Sequence, residues 1–94
     1  MSYILMHVKF EDFAKWKSVF DGNTEMRKKG GSKGARRFRI IDKPNEVVLL
    51  AEWESVESAR KFSQSAELHE VMKQAGVAQP PEVLFLEEFE PVQY

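Results

Sequence analysis

The stretch EVVLLAEWE at residues 46–54, running into SVESARKF at residues 55–62, decides the fold. Its first part is apolar, rich in β-branched residues and short, which reads as a strand. At Ser55 the period changes. Ser55 is a helix-capping residue with Glu57 and Ser58 behind it, and Val56, Ala59, Phe62, Ala66, Leu68 with His69, Met72 and Ala75 trace one stripe that Gly76 ends. A strand that feeds a one-sided helix needs a sheet on which that helix can lie.

Working outward, residues 35–42 (ARRFRIID) read as another strand, joined to 46–54 by the turn Lys43-Pro44-Asn45, so the two form a hairpin. Residues 3–10 (YILMHVKF) are a further strand. From Glu11 the spacing turns helical, with Phe13, Trp16 and Phe20 on one face and Gly30-Gly31 as the stop. Gly22 inside that helix costs roughly 1 kcal/mol relative to Ala and marks a kink or a break. After Gln79-Pro80-Pro81, residues 82–90 (EVLFLEEFE) form the last strand. The predicted order is βαββαβ. Its simplest solution is an α+β ferredoxin-like sandwich, an antiparallel sheet of order 4-1-3-2 with both helices on one face, making one domain of residues 1–94.

The sheet's other face poses a problem. If Ile4, Met6 and Val8 face the helices, then Tyr3, Leu5, His7 and Lys9 do not. The reading continues with Val48 and Leu50 inward and Val47, Leu49, Ala51 and Trp53 outward. It ends with Leu84 and Leu86 inward and Val83, Phe85, Glu87 and Phe89 outward. Such a face is too apolar for water, which predicts a homodimer with two sheets face to face.

Composition narrows the function classes. The 94 residues are 43% hydrophobic and 31% charged, which excludes a disordered chain. No stretch approaches the roughly 20 apolar residues that cross a bilayer, and the N-terminal apolar run is too short for a signal core. A cytoplasmic protein with no membrane partner is expected. With no cysteine there is no disulfide and no thiolate nucleophile, and no His, Asp or Glu spacing reads as a metal site. The net charge of −1 hides a polarity: residues 1–43 carry 11 Lys and Arg against 5 Asp and Glu, while residues 44–94 carry 3 against 10. Residues 27–39 hold seven cations and no acid, a segment able to grip an anion, or else a solvated basic loop. The βαββαβ order also occurs in RNA-recognition domains, but those need basic and aromatic residues on the third strand, and residues 46–53 are acidic and aliphatic. No nucleic-acid partner is expected.

Several motifs bear a resemblance. Trp16-x-x-x-Phe20, Ala51-Glu52-Trp53-Glu54-Ser55, Glu57-Ser58-Ala59-x-x-Phe62, Ser65-Ala66-Glu67-Leu68, Ala75-Gly76-Val77 and Pro80-Pro81 together resemble the dimeric α+β barrel superfamily, specifically the antibiotic-biosynthesis-monooxygenase-like proteins. The resemblance implies homodimers whose paired sheets form a barrel. It also implies a cofactor-independent monooxygenase-like enzyme acting on a small aromatic or polyketide-like compound. A non-catalytic module that binds a small ligand, or is purely structural, is the alternative. The family's haem-degrading branch uses an Asn on the first strand and a Trp and a His on the second helix. Here the strand has no Asn, and Phe62 and Met72 stand at the other two positions, so no haem or other cofactor is expected.

Three residues are candidate catalysts: His7, His69 and Glu87. His7 and Glu87 lie on neighbouring strands, where a carboxylate would orient the imidazole for acid–base work. With Arg37, Arg39 and Trp53 they form a predicted cluster on the far face, which reads equally as polar contacts setting dimer register. His69 lies beside the apolar stripe, flanked by Leu68 and Val71, where a lone His is usually a boundary residue. Trp16, Phe20, Phe38, Phe62 and Met72 are the candidate pocket lining, or else plain core.

Overall fold

The computed structural model describes residues 2–94. Eight elements follow one another: β1 (Ser2–Lys9), α1 (Phe13–Gly22), α2 (Thr24–Gly30), β2 (Ser32–Arg39), β3 (Glu46–Trp53), α3 (Val56–Ser63), α4 (Ala66–Gln74) and β4 (Glu82–Glu87). The strands make one antiparallel sheet in the order β2-β3-β1-β4, which is the 4-1-3-2 order of the ferredoxin-like sandwich. No helix among the described residues is long and apolar enough to cross a membrane.

Both helices expected from the sequence are broken in two. At the first break, side chains take the carbonyls that a continuing helix would use. Asn23 Nδ2 donates to the Val19 carbonyl at 2.7 Å, Arg27 Nη1 to the Phe20 carbonyl at 2.7 Å, and Thr24 Oγ1 to the Asp21 carbonyl at 3.1 Å. Gly22, the last residue of α1, favours the break because glycine is a poor helix former. At the second break Ser65 starts a new helix by accepting from the Leu68 N–H at 3.1 Å. The other N-caps are Asp12, which accepts from Ala14 N–H at 2.9 Å, and Ser55, which accepts from Ser58 N–H at 3.1 Å. At the end of α2, Gly31 adopts a φ of 114°, a conformation that side chains resist.

The strands also start and stop differently. β2 begins at Ser32 rather than residue 35, because a register shift between Ser32 and Gly34 lets the chain join the sheet early. It ends at Arg39, and β4 ends at Glu87.

The two faces of β3 and β4 are exchanged relative to the sequence reading. On β1, Ile4, Met6 and Val8 face the helices as expected, and their partners across the ladder must share that face. Those partners are Ala51, Leu49 and Val47 on β3, and Phe85 and Val83 on β4. Val48, Leu50, Leu84 and Leu86 therefore lie on the far face, while Trp53 is buried under the helices. The runs VVLLA and VLFL have no alternation to fix their phase, and a one-residue slip exchanges every side chain. The far face is still apolar, with Leu84 56% and Leu86 38% exposed beside Tyr3 and Leu5.

The core has two halves. Val8, Phe10, Trp16, Val47, Leu49 and Ala75 pack at one end, and Ile4, Trp53, Ala59, Phe62 and Leu68 at the other. Met6 touches both. An aromatic ladder runs along the first half, Phe10 to Trp16 and Trp16 to Phe20, each with ring centroids 5.2 Å apart.

Candidate functional site

Between the helices and the sheet, where the two core halves meet, lies a cavity of about 80 Å3. Its floor is Ile4, Met6 and Val8 of β1 with Leu49, Ala51 and Trp53 of β3, and its roof comes from all four helices. The wall is almost wholly apolar. Its polar groups are few: the Trp53 indole, the Arg27 guanidinium and the Ser32 hydroxyl. The Trp53 Nε1–H is buried and has no acceptor among the described residues, a state that costs about 1–3 kcal/mol unless something supplies one. The Trp53 ring is held tightly, stacked at a tilt on Phe62 with centroids 4.8 Å apart.

The cavity shares Phe20, Arg27, Ser32 and Ala35 with a surface groove of about 330 Å3 between α1, α2 and β2. Arg27 is half-buried there, its Cζ 3.7 Å from the centre of the Phe20 ring and its Nη2 3.2 Å from Thr24 Oγ1. Burial lowers its pKa, the nearby Asp21 opposes that, and Arg37 adds to it. Asp21 itself is engaged elsewhere, by Lys17 at 2.6 Å and Arg37 at 2.9 Å. The hydrogen bond from Lys17 and the charge of Arg37 hold its carboxyl below the ordinary value, against a smaller desolvation effect.

Of the residues singled out from the sequence, Trp16, Phe20, Phe62 and Met72 stand in the cavity wall. Phe38 does not. It pairs with Val48 on the far face, 45% exposed, with the Arg36 guanidinium 5.3 Å from its ring centre. The far-face cluster of five comes apart. Trp53, Arg37 and Arg39 all lie on the helix side, Arg37 bonded to Asp21 and Arg39 lying over Phe13 at 3.8 Å. His7 is on the far face, but its neighbours are Glu46, with Nε2 to Oε1 at 2.8 Å, and Glu82, with Nδ1 to Oε1 at 3.5 Å. Glu87 sits opposite Ser2 instead, since the antiparallel register brings Glu82 beside His7. His69 is exposed on α4. None of His7, His69 and Glu87 is in the cavity wall.

The hydrogen bond with His7 lowers the Glu46 pKa, desolvation opposes it, and Lys43 and Lys9 add smaller attractions. Among the described residues no group of three His, Cys, Asp or Glu is placed to hold a metal ion. The sequence reading missed Met26 and Arg27 as cavity residues. Arg27 was visible only as one of seven cations, and the helix break that turns it inward comes from Asn23 and Thr24.

Comparison with known proteins accords with this geometry. A family model described as antibiotic biosynthesis monooxygenase matches residues 2–74. Among solved structures, a Bordetella bronchiseptica protein classed with the antibiotic biosynthesis monooxygenases superimposes with a TM-score of 0.79 at 21% identity, covering 95% of this chain and 97% of that one. A Streptomyces coelicolor monooxygenase, solved with nanaomycin D bound, gives 0.69 at 19% identity over 99% and 91% of the two chains. A conserved protein of Methanosarcina mazei gives 0.72 at 12% identity over 94% and 92%. No curated protein matches the sequence.

Proposed function

The chain belongs to the antibiotic biosynthesis monooxygenase family, and from that premise we propose that it oxygenates a small aromatic compound held between the helices and the sheet. The observation that supports this most is the apolar, aromatic-lined cavity between the helices and the sheet, with Trp53, whose buried indole N–H has no acceptor among the described residues, in its wall. An aromatic ring bearing oxygen suits that wall, its faces against Phe20 and Phe62, and the Trp53 N–H is the donor its oxygen takes once the side chains repack around it.

Size limits the guest. An apolar cavity of about 150 Å3 is enough for benzene, so 80 Å3 holds less than one ring as it stands. Met26, Met72 and Met6 line it, and unbranched thioether side chains repack at low cost. The ring enters by displacing them, and the remainder of the molecule lies in the groove.

The reaction needs no external reductant if the substrate is a hydroxyarene. A ring C–H becomes a quinone C=O; one atom of O2 enters the ring, and the other leaves as water with the ring hydrogen and the hydroxyl proton. The ring supplies the electrons. The cavity wall contributes no imidazole or carboxylate among the described residues, so the chain's own part is to orient the ring, exclude water and stabilise the oxygen on it. The two sheets' far faces meet in a homodimer, which covers Leu84, Leu86 and Leu5 and leaves the cavity on the outer side of each sheet.

The test is oxygen uptake with a panel of hydroxyarenes and quinols, with the quinone followed by absorbance. Turnover that falls in Trp53→Phe while the fold is kept supports the proposal. Binding of hydroxyarenes without oxygen uptake sinks the oxygenase reading and leaves a ligand-binding module.

A further inference from the structure

The cavity's polar end carries an excess of positive charge. The groove that continues it is lined by four cations, Arg27, Lys28, Lys33 and Arg37, against one carboxylate, Asp21. That carboxylate is committed to Lys17 and Arg37. Lys28 has Glu25 at 3.7 Å, outside the groove lining. Arg27 has no carboxylate within 4.0 Å among the described residues, although it is the most buried of the four. A half-buried guanidinium is normally paired, because the partial loss of water is offset only by an anion.

Its geometry leaves room for one. Nη1 donates to the Phe20 carbonyl and Nη2 to Thr24 Oγ1, so two of the five N–H groups are used and the remainder are not engaged by the described residues. Those bonds, with the Phe20 ring beneath, hold the guanidinium plane still. A fixed fork of donors suits a carboxylate, which it can grip through two oxygens. Arg27 also lines both the cavity and the groove, so an anion on it would be attached to whatever occupies the cavity.

We propose that Arg27 is the carboxylate-binding residue of the site, and that the compounds it takes are aromatic acids, ring in the cavity and carboxylate in the cationic groove. The inference rests on the aromatic-cavity reading above and adds the chemical class of the substrate. Lys33 and Arg37 supply the positive field around the carboxylate, and Arg27 the direct contact. Arg37 is screened by Asp21; Lys33 is exposed and its charge is spread into water.

A matched pair of probes tests it: 2-naphthoate and its neutral isostere 2-naphthamide, titrated calorimetrically into the full chain. On the wild type, naphthoate is expected to bind on the order of 10- to 100-fold more tightly than naphthamide, the worth of a charge-assisted contact in a partly dry site. Added salt should shrink that preference. In Arg27→Gln the ratio of the two affinities should fall to near unity, and Arg27→Lys should retain part of it. Lys43→Gln, in the hairpin turn away from the groove, should leave it intact. Equal binding of the two probes by the wild type overturns the inference while the aromatic cavity stands. Failure of both to bind overturns the cavity reading, and this inference with it. A preference that survives in Arg27→Gln and disappears in Lys33→Gln overturns the assignment to Arg27. The wild-type comparison and its salt dependence need no variant, so a poorly folding Arg27→Gln would not spare the proposal.

Discussion

Replacing Leu84 and Leu86 together by Ser is the sharpest test of which face of the sheet meets a second copy. Both side chains point away from the helices, 56% and 38% exposed, so together they leave about one leucine's worth of surface uncovered in each protomer. In a two-fold dimer that surface counts twice. Full burial of a leucine contributes roughly 1.5–3 kcal/mol, so the four side chains contribute about 3–6 kcal/mol to association. At 1.4 kcal/mol per tenfold, the double variant should dissociate roughly 100- to 10,000-fold more readily. Sedimentation equilibrium across a concentration series measures it, with far-UV circular dichroism to show that the fold persists. Val83→Ser is the counter-experiment. Val83 packs against the half of the core that holds Trp53 and Phe62, so this change should lower stability by about 1–3 kcal/mol and spare the contact between copies. A double variant with unchanged association, or a wild type that stays monomeric at high concentration, refutes the reasoning. A Val83 variant that falls apart into folded monomers would put the faces the other way round.

Gly31→Ala should destabilise the fold. The residue holds a φ of 114°, which costs a non-glycine residue about 1–3 kcal/mol, and a Cβ there would stand 3.0 Å from Ser58 Oγ. For a domain of this size each kcal/mol is about 4–8 °C in Tm, read by thermal denaturation. Gly22→Ala, with open space around its Cβ, should be neutral or stabilising; a large loss there would show that Gly22 itself makes the helix break. Glu46→Gln tests the contact with His7. Folding lowers the Glu46 pKa, so the carboxylate's stabilising effect is complete above its ordinary value of 4.5 and is lost as the pH falls through the lowered value. The gap in Tm between wild type and Glu46→Gln should therefore narrow as the pH falls below about 4.5. A gap independent of pH would mean that the His7 contact contributes nothing.

How much of this could be read in the residues depended on whether the far face hid the period. On β1 the contrast between Ile4, Met6, Val8 and Tyr3, His7, Lys9 fixed the faces from sequence. On β3 and β4 it could not. Val48 and Leu50 are as apolar as Val47 and Leu49, so composition marks neither face. The apolarity that pointed to an interface thus removed the signal needed to say which residues form it. Only the register with β1, a non-local fact, restores it. The same step moved Trp53 under the helices and buried its indole N–H. Trp16, Phe20, Phe62 and Met72 were accessible because helical spacing is local. Arg27 was not, because its orientation follows from carbonyls captured by Asn23 and Thr24 in the preceding turn.

The charge polarity of the chain takes a different meaning once the faces are known. The strand order alternates the cationic and acidic halves of the sequence, β2 and β1 with β3 and β4, but the two edges differ: the cations of β2 line one and the acids at the end of β4 the other. The cations of β2 alternate between faces. Arg37 and Arg39 turn to the helix side, over Phe20 and Phe13, and Arg37 lines the groove. Arg36 alone turns to the far face beside Phe38, next to the hollow that Glu52, Glu87 and Glu88 help to line. If β2 of one protomer lies against β4 of its partner, Arg36 is the cation that meets the acidic edge, and it does so twice per dimer. Arg36→Glu should then weaken association about tenfold, and more at low salt, since each exposed pair contributes up to about 1 kcal/mol. Arg37→Glu should leave association alone and instead break the contact with Asp21, which alters the groove. The two substitutions have the same charge change on adjacent residues of one strand, so only the face distinguishes them. Equal effects on sedimentation would rule out an edge pairing that depends on which way each side chain points.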